Sequence, residues 1–209
     1  MRSRRSWRSE VKQQATLIHP LIRKTFVELS RHVVLLRGIN LVRTNRISMP
    51  RLRAALEQEG FRGVVTYLQS GNIVLSSRAS EEKVAQRVKG LIEKEFALDI
   101  TVLTRSGEQI ATVVRRNPLA AVATNPRRYL VTFMSEVLTP SLLDELRSVS
   151  QAEPFAVIGR EVYSWHPDGV ARTPLWERLA SRSFGVSATS RNWTTVQALA
   201  ALAESSPDR

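Results

Sequence analysis

The chain of 209 residues has no cysteine, few aromatic residues and no long apolar run, and each shortage excludes a class of protein. Without cysteine there is no disulfide scaffold, no thiolate nucleophile, no zinc finger and no Cys-ligated iron–sulfur cluster. No stretch approaches the roughly 20 apolar residues of a membrane-spanning helix, so we expect no membrane partner. Because 43% of the residues are hydrophobic, we still expect a packed core.

Motifs for cofactors and common catalytic centres are missing as well. Neither G-x-G-x-x-G nor a P-loop occurs, and Ser70 lacks the flanking glycines of a G-x-S-x-G nucleophile elbow. The histidines, His19, His32 and His166, have no ligand-like spacing. We therefore predict no metal site and no cofactor, and the pattern leaves open whether the protein is an enzyme.

Positive charge is in excess. The chain carries 31 Lys and Arg against 19 Asp and Glu, a formal net charge of +12. Such an excess favours polyanionic partners such as nucleic acid, because bound cations release counterions. The alternative is that the charge only keeps the protein soluble.

Residues 1–31 hold eight of these cations and two acids, and they lack the apolar segment of a secretory signal. We predict a poorly ordered basic extension, with a short helix over 21–30, and a cytoplasmic protein.

From residue 32 the pattern alternates between strands and helices. Apolar or β-branched runs predict strands over 32–37, 64–68, 73–76 and 100–104, and amphipathic spacing predicts helices over 49–59 and after Ser80. This βαββαβ order is that of a ferredoxin-like unit. A further helix is predicted over 108–115.

The second half repeats the order, with strands over 129–134, 155–158, 161–165 and 186–189 and helices near 141–149, 174–179 and from Trp193. We predict an α+β protein of two ferredoxin-like units with mainly antiparallel sheets, over 32–116 and 128–209, joined by a linker over 117–127. No obvious residue-level repeat links the halves.

Three strings identify a family resemblance. They are the LRGIN stretch (residues 36–40), the LQSGN turn (residues 68–72) and the string ATSRNWTTV (residues 188–196). Together they resemble the bacterial domain-of-unknown-function family 1697, over roughly residues 31–204. The resemblance implies two ferredoxin-like halves and no particular activity.

The topology predicts that the LRGIN stretch and the LQSGN turn meet at one sheet edge. There a glycine backbone, amide side chains and arginines could hold an anion. The alternative is that these Gly and Asn residues only form tight turns. The candidate ligand-binding residues are Arg37, Gly38, Asn40, Arg46, Gln69, Ser70, Gly71, Asn72, Arg191 and Asn192.

Residues 191–193 have two interpretations. Asn192 is suited to cap the last helix, with Trp193 in the core and Arg191 solvated or paired. Alternatively, Arg191 reaches the cleft between the halves as a second anion contact.

Three functions remain open from the sequence. The first is binding of a nucleotide or a nucleic acid backbone. The second is catalysis on a small substrate that carries phosphate or carboxylate, and the third is a protein–protein adaptor that pairs through open sheet edges, with an oligomeric state that the sequence does not fix.

Overall fold

The computed structural model describes residues 29–40, 45–150, 152–171 and 173–205. These residues form two four-stranded antiparallel sheets and six α-helices. The elements of the first half are β1 (Ser30–Leu36), α1 (Met49–Gln58), β2 (Arg62–Tyr67), β3 (Asn72–Ser77), α2 (Glu81–Phe96), β4 (Val102–Ser106) and α3 (Gly107–Arg116). Those of the second half are β5 (Tyr129–Met134), α4 (Pro140–Val149), β6 (Phe155–Ile158), β7 (Glu161–Trp165), α5 (Pro174–Ala180), β8 (Ala188–Asn192) and α6 (Trp193–Glu204).

The strand order is the same in both sheets and confirms the predicted fold class. It is β2-β3-β1-β4 in the first sheet and β6-β7-β5-β8 in the second, with every neighbouring pair antiparallel. Each half is therefore a βαββαβ unit followed by one more helix.

Side-chain caps fix where the helices begin. The Ser80 hydroxyl accepts a hydrogen bond from the Lys83 N–H at the start of α2. Ser106 and Gln109 form a reciprocal capping box at the start of α3. Asn192 caps α6 by accepting from the Thr195 N–H at 2.9 Å, which confirms the predicted cap.

The apolar residues divide the molecule into layers. Along β1, Val34 and Leu36 face α1 and α2, whereas Val33 and Leu35 face the core that α3 and α6 share with the second sheet. A separate cluster packs α4 and α5 on the outer face of the second sheet. Helices α3 and α6 lie between the two sheets, so one core joins the halves.

Several boundaries differ from the sequence prediction by one or two residues, as for β2 (Arg62–Tyr67 rather than 64–68) and β4 (Val102–Ser106 rather than 100–104). Ser30 and Arg31 belong to β1, where they pair with Ser77 and Ser76, because β3 is long enough to extend the ladder beyond His32. The end of the predicted helix over 21–30 is therefore wrong at Ser30, which is in β1, and residues 1–28 of the predicted extension lie outside the described residues. The last strand runs over Ala188–Asn192 rather than 186–189, because it follows β5 in register. This shift places Arg191 inside the second sheet.

Candidate functional site

The LRGIN stretch and the LQSGN turn lie side by side, as the topology predicts. The Leu36 N–H donates to the Gly71 carbonyl at 2.8 Å, and the Asn40 side-chain amide donates to the Gln69 carbonyl at 2.7 Å. The end of β1 and the β2–β3 turn thus form one rim.

Asn40 holds the loop after β1. Its backbone has a left-handed φ of 51°, which asparagine tolerates well. Its amide nitrogen donates to the carbonyls of Ile47 and Gln69, and its oxygen accepts from the Ile47 N–H. Both amide hydrogens are therefore used within the chain.

Asn72 and Gly71 shape the turn itself. The buried Asn72 amide donates to the Tyr67 carbonyl and to the Ser70 hydroxyl, both at 3.0 Å. Gly71 has a φ of 74°, and a Cβ there would come 2.6 Å from the Leu36 Cβ. No other residue type fits this position without displacing β1.

Arg191 joins the second half to this rim. Its Nε donates to the Asn72 side-chain oxygen, and one terminal nitrogen donates to the carbonyls of Leu36 at 2.8 Å and Ser70 at 3.1 Å. The other terminal nitrogen donates to Thr189 and Ser190 of its own strand. All five guanidinium hydrogens thus have acceptors within the chain. Arg191 therefore acts as a strut between the halves and offers no hydrogen to a ligand.

The charge of Arg191 has no carboxylate beside it. Burial lowers the pKa of its guanidinium to about 10, so it remains a cation at pH 7. Among the described residues, no acid lies within salt-bridge distance of it. The guanidinium of Arg191 is therefore an uncompensated positive charge, buried beside the rim that the end of β1 and the β2–β3 turn form.

Arg105 occupies the equivalent place in the first half. Arg105 pairs with Val33 of β1, and Arg191 pairs with Val131 of β5. Arg105 donates to the carbonyl of Met134 at 2.7 Å, at the end of β5, just as Arg191 donates to Leu36 at the end of β1. No obvious residue-level repeat was predicted between the halves, and strand pairing now places one arginine at the equivalent position of each half.

A short sequence signal marks this repeat. Each arginine follows a Thr or Ser and precedes the polar cap of a helix, as Ser106 caps α3 and Asn192 caps α6. Two such triplets 86 positions apart (191 − 105) are too short to stand out before the strands are aligned by pairing.

The two arginines differ in their counter-charge. Arg105 Nε lies 2.7 Å from the Glu161 carboxylate, whereas the corresponding Arg191 atom meets the neutral amide of Asn72. The charge is neutralised at one end of the interface between the halves and left uncompensated at the other.

Arg37 and Arg182 add positive charge at the uncompensated end. The half-buried Arg37 donates to the Ala180 carbonyl at 2.7 Å, at the C-terminal end of α5. Burial, and secondly the nearby charge of Arg182, lower the pKa of Arg37. Neither arginine has a carboxylate within 4.0 Å in the described part of the chain. Sequence reasoning missed Arg182, which lies 145 positions after Arg37 (182 − 37) and carries no motif.

The remaining predicted residues divide into exposed and structural ones. Gly38, Gln69 and Ser70 are exposed on the rim, and exposed Arg46 precedes Ile47, the partner of Asn40. Asn192 is used as the helix cap. We call the surface of Arg37, Gly38, Gln69, Ser70 and Arg182 the arginine edge.

Comparison with known proteins agrees with this architecture. A family model described as "Protein of unknown function (DUF1697)" matches residues 29–163, about two thirds of the chain. The chain belongs to this family. The match includes the LRGIN stretch and the LQSGN turn, whereas Arg191 lies beyond the matched residues. No curated protein matches the chain.

The solved structure of a conserved bacterial protein, SP0830 from Streptococcus pneumoniae, is similar to this DUF1697 protein with a TM-score of 0.71. The two are 20% identical, over 85% of this chain and 100% of that one. At this identity the similarity shows the fold alone.

Among the residues that the structure describes, no helix has the length and apolar character needed to cross a bilayer. Nor does this part of the DUF1697 chain gather three or more His, Asp or Glu side chains into a metal-binding group.

We predict that acid lowers the stability of the folded protein because of the two histidines within the described ranges. Burial lowers the pKa of His32 and of His166, and Glu81 and Glu153, respectively, offset part of that effect. The unfolded chain therefore binds protons at a higher pH than the folded one. Stability that is present above pH 6.5 should fall as the pH drops below that value, by at most about 1.4 kcal/mol per pH unit for each histidine.

Urea unfolding at pH 7.5, 6.5 and 5.5 measures this dependence. His166→Gln should reduce the slope, because the replaced imidazole, held by Ser164 at 2.9 Å and Thr173 at 3.1 Å, no longer titrates. Equal free energies of unfolding at pH 7.5 and 5.5 in the wild-type protein would contradict the prediction.

Proposed function

We propose that this DUF1697 protein binds an anionic ligand, a nucleotide or the phosphate backbone of a nucleic acid, at the arginine edge. The observation that carries the proposal is the gathering of Arg37 and Arg182 without an acidic partner, in front of the uncompensated charge of Arg191. Like charges repel unless something compensates them, and a bound anion supplies that compensation.

The rim offers the contacts that a phosphate uses. The guanidinium of Arg37 presents a planar fork for bidentate contact, and in the absence of ligand it rests on carbonyls of the α5 end. Exposed Gln69 and Ser70 add neutral donors. Gly38 has no side chain, so an anion is able to approach the backbone closely there.

Long-range charge supports the same proposal. The net charge of +12 draws anions toward the protein, and within the described residues neither Arg37 nor Arg182 of the arginine edge is paired with an acid. On the outer face of the first half, by contrast, Arg51, Arg53 and Arg87 each contact a glutamate.

Salt dependence separates the ligand classes. We would titrate the protein with adenosine triphosphate and with a single-stranded oligonucleotide of about 20 nucleotides, each at about 50 and 200 mM salt. A fall in oligonucleotide affinity that reports several phosphate contacts supports a nucleic acid partner. Binding of the nucleotide with little salt dependence supports a small-molecule site, the arrangement that an enzyme needs. Absence of binding by either probe at low salt overturns the proposal.

Arg37→Ala should weaken binding of whichever of these two probes the protein binds by about 10-fold or more, because a charge-assisted hydrogen bond is lost. Fluorescence anisotropy or calorimetry measures the change. Arg53→Ala is the matched control, since it removes one positive charge from the outer face of the first half and should leave the affinity within about 2-fold. Equal effects of the two substitutions would indicate that only net charge matters.

A further inference from the structure

A cleft of about 660 Å³ opens at the other end of the interface between the halves. The first half contributes the start of β1, the end of β4 and the start of α2, and the second half contributes Ser135 and Arg160. By the reciprocal placement of Arg105 and Arg191, this cleft is the counterpart of the arginine edge. Its volume lies in the range of small-molecule sites.

His32 lines this cleft, and at most one of its two ring nitrogens is served by a weak contact, to the Ser77 carbonyl. The His32 side chain is 3% exposed, and neither ring nitrogen forms a hydrogen bond of ordinary geometry within the described residues. Buried polar groups without partners are rare because each costs free energy. His32 is therefore a group that needs an explanation.

The equivalent position of the second half shows that the fold does not require a histidine. His32 pairs with Ser106, the cap of α3, and Leu130 pairs with Asn192, the cap of α6. Leu130 is buried like His32, so the same place in the same fold is filled by an apolar side chain. The imidazole thus gives up stability that a leucine supplies at the matching site.

The charges of the cleft select against an anion. Arg105 is paired with Glu161 at 2.7 Å, and Arg160 is paired with Glu81 at 3.4 Å across the mouth. Glu82 also lines the cleft. The lining therefore lacks the uncompensated positive charge of the arginine edge.

We propose that this cleft binds a small uncharged heterocycle of nucleobase size, which hydrogen-bonds to His32. A neutral imidazole carries one donor and one acceptor that point in divergent directions, so a heterocycle in the cleft pairs with one ring nitrogen through a single donor or acceptor atom. Ala79, Ala85 and Val102 supply apolar flanks for a planar ring.

The NMR signals of the His32 ring nitrogens test this proposal directly. Histidine-selective ¹⁵N labelling of the full chain reports the ring nitrogens while adenosine, cytidine, guanosine, uridine or nicotinamide is added to about 5 mM. At least one of these probes should shift a His32 ring nitrogen and leave His166 unchanged. No shift at His32 with any of the five probes overturns the proposal.

Substitutions at His32 test whether the probe binds beside this residue. His32→Leu should abolish binding while the unfolding midpoint stays the same or rises, as Leu130 indicates, and His32→Gln, which keeps a donor and an acceptor, should retain part of the affinity. Arg53→Ala serves as the control from the outer face of the first half and should bind the probe as the wild type does. A His32→Leu protein that binds the probe with unchanged affinity overturns the proposal. So does a loss of folding in His32→Leu together with unchanged binding in His32→Gln.

Discussion

Replacing Arg191 with alanine is expected to lower the free energy of unfolding by about 4 kcal/mol. The truncation leaves the buried carbonyl of Leu36 and the buried side-chain oxygen of Asn72 without their donor. Each buried acceptor left unmade costs about 1–3 kcal/mol, and dismantling a buried charged network typically costs about 3–5 kcal/mol. Urea or guanidinium unfolding monitored by tryptophan fluorescence measures the loss.

Two further substitutions test whether the loss of stability is specific to the guanidinium of Arg191. Arg191→Lys keeps the charge but not the planar fork, so it should recover only part of the stability. Arg182→Ala removes an exposed guanidinium and should change the free energy of unfolding by less than about 0.5 kcal/mol. A loss below about 1 kcal/mol in Arg191→Ala would contradict the role of this residue as a strut.

The second large effect is expected from Gly71→Ala, at about 3 kcal/mol. The left-handed φ of 74° costs an alanine about 1–2 kcal/mol. The new Cβ would also overlap the Leu36 Cβ, which moves only with β1, and overpacking of this kind costs a further 1–3 kcal/mol. The same unfolding measurement gives the value.

Gly38→Ala is the matched control for that substitution. Gly38 has a similar φ of 66°, but a Cβ there meets nothing within 4 Å, so only the backbone cost of about 1 kcal/mol applies. The difference between the two variants isolates the close approach of the turn to β1. Equal losses in the two would show that the turn does not press against β1.

Local patterns were sufficient to predict the fold. The hairpin of β6 and β7 has the predicted bounds because turn residues separate two runs with strand-like residues. Helix starts were predicted at Ser80 and Asn192 because side-chain caps are chosen by the adjacent backbone. The meeting of the LRGIN stretch and the LQSGN turn follows from strand order, which the βαββαβ pattern implies.

The electrostatics of the site could not be predicted in this way. Whether Arg191 is a ligand contact or a strut depends on which acceptors surround it, and these come from residues 36, 70 and 72 in the other half. Arg182 joins the site only because α5 ends beside Arg37. Long-range contacts of this kind leave no period or spacing in the sequence.

The most direct test of anion binding observes the side-chain Nε–H signals of the arginines during titration with adenosine triphosphate. The proposed function predicts that the Arg37 and Arg182 signals shift together and saturate, whereas those of Arg53 and Arg147, which are paired with acids elsewhere, stay in place. Signals of Arg37 and Arg182 that remain unchanged while the nucleotide binds elsewhere, or does not bind, would contradict it.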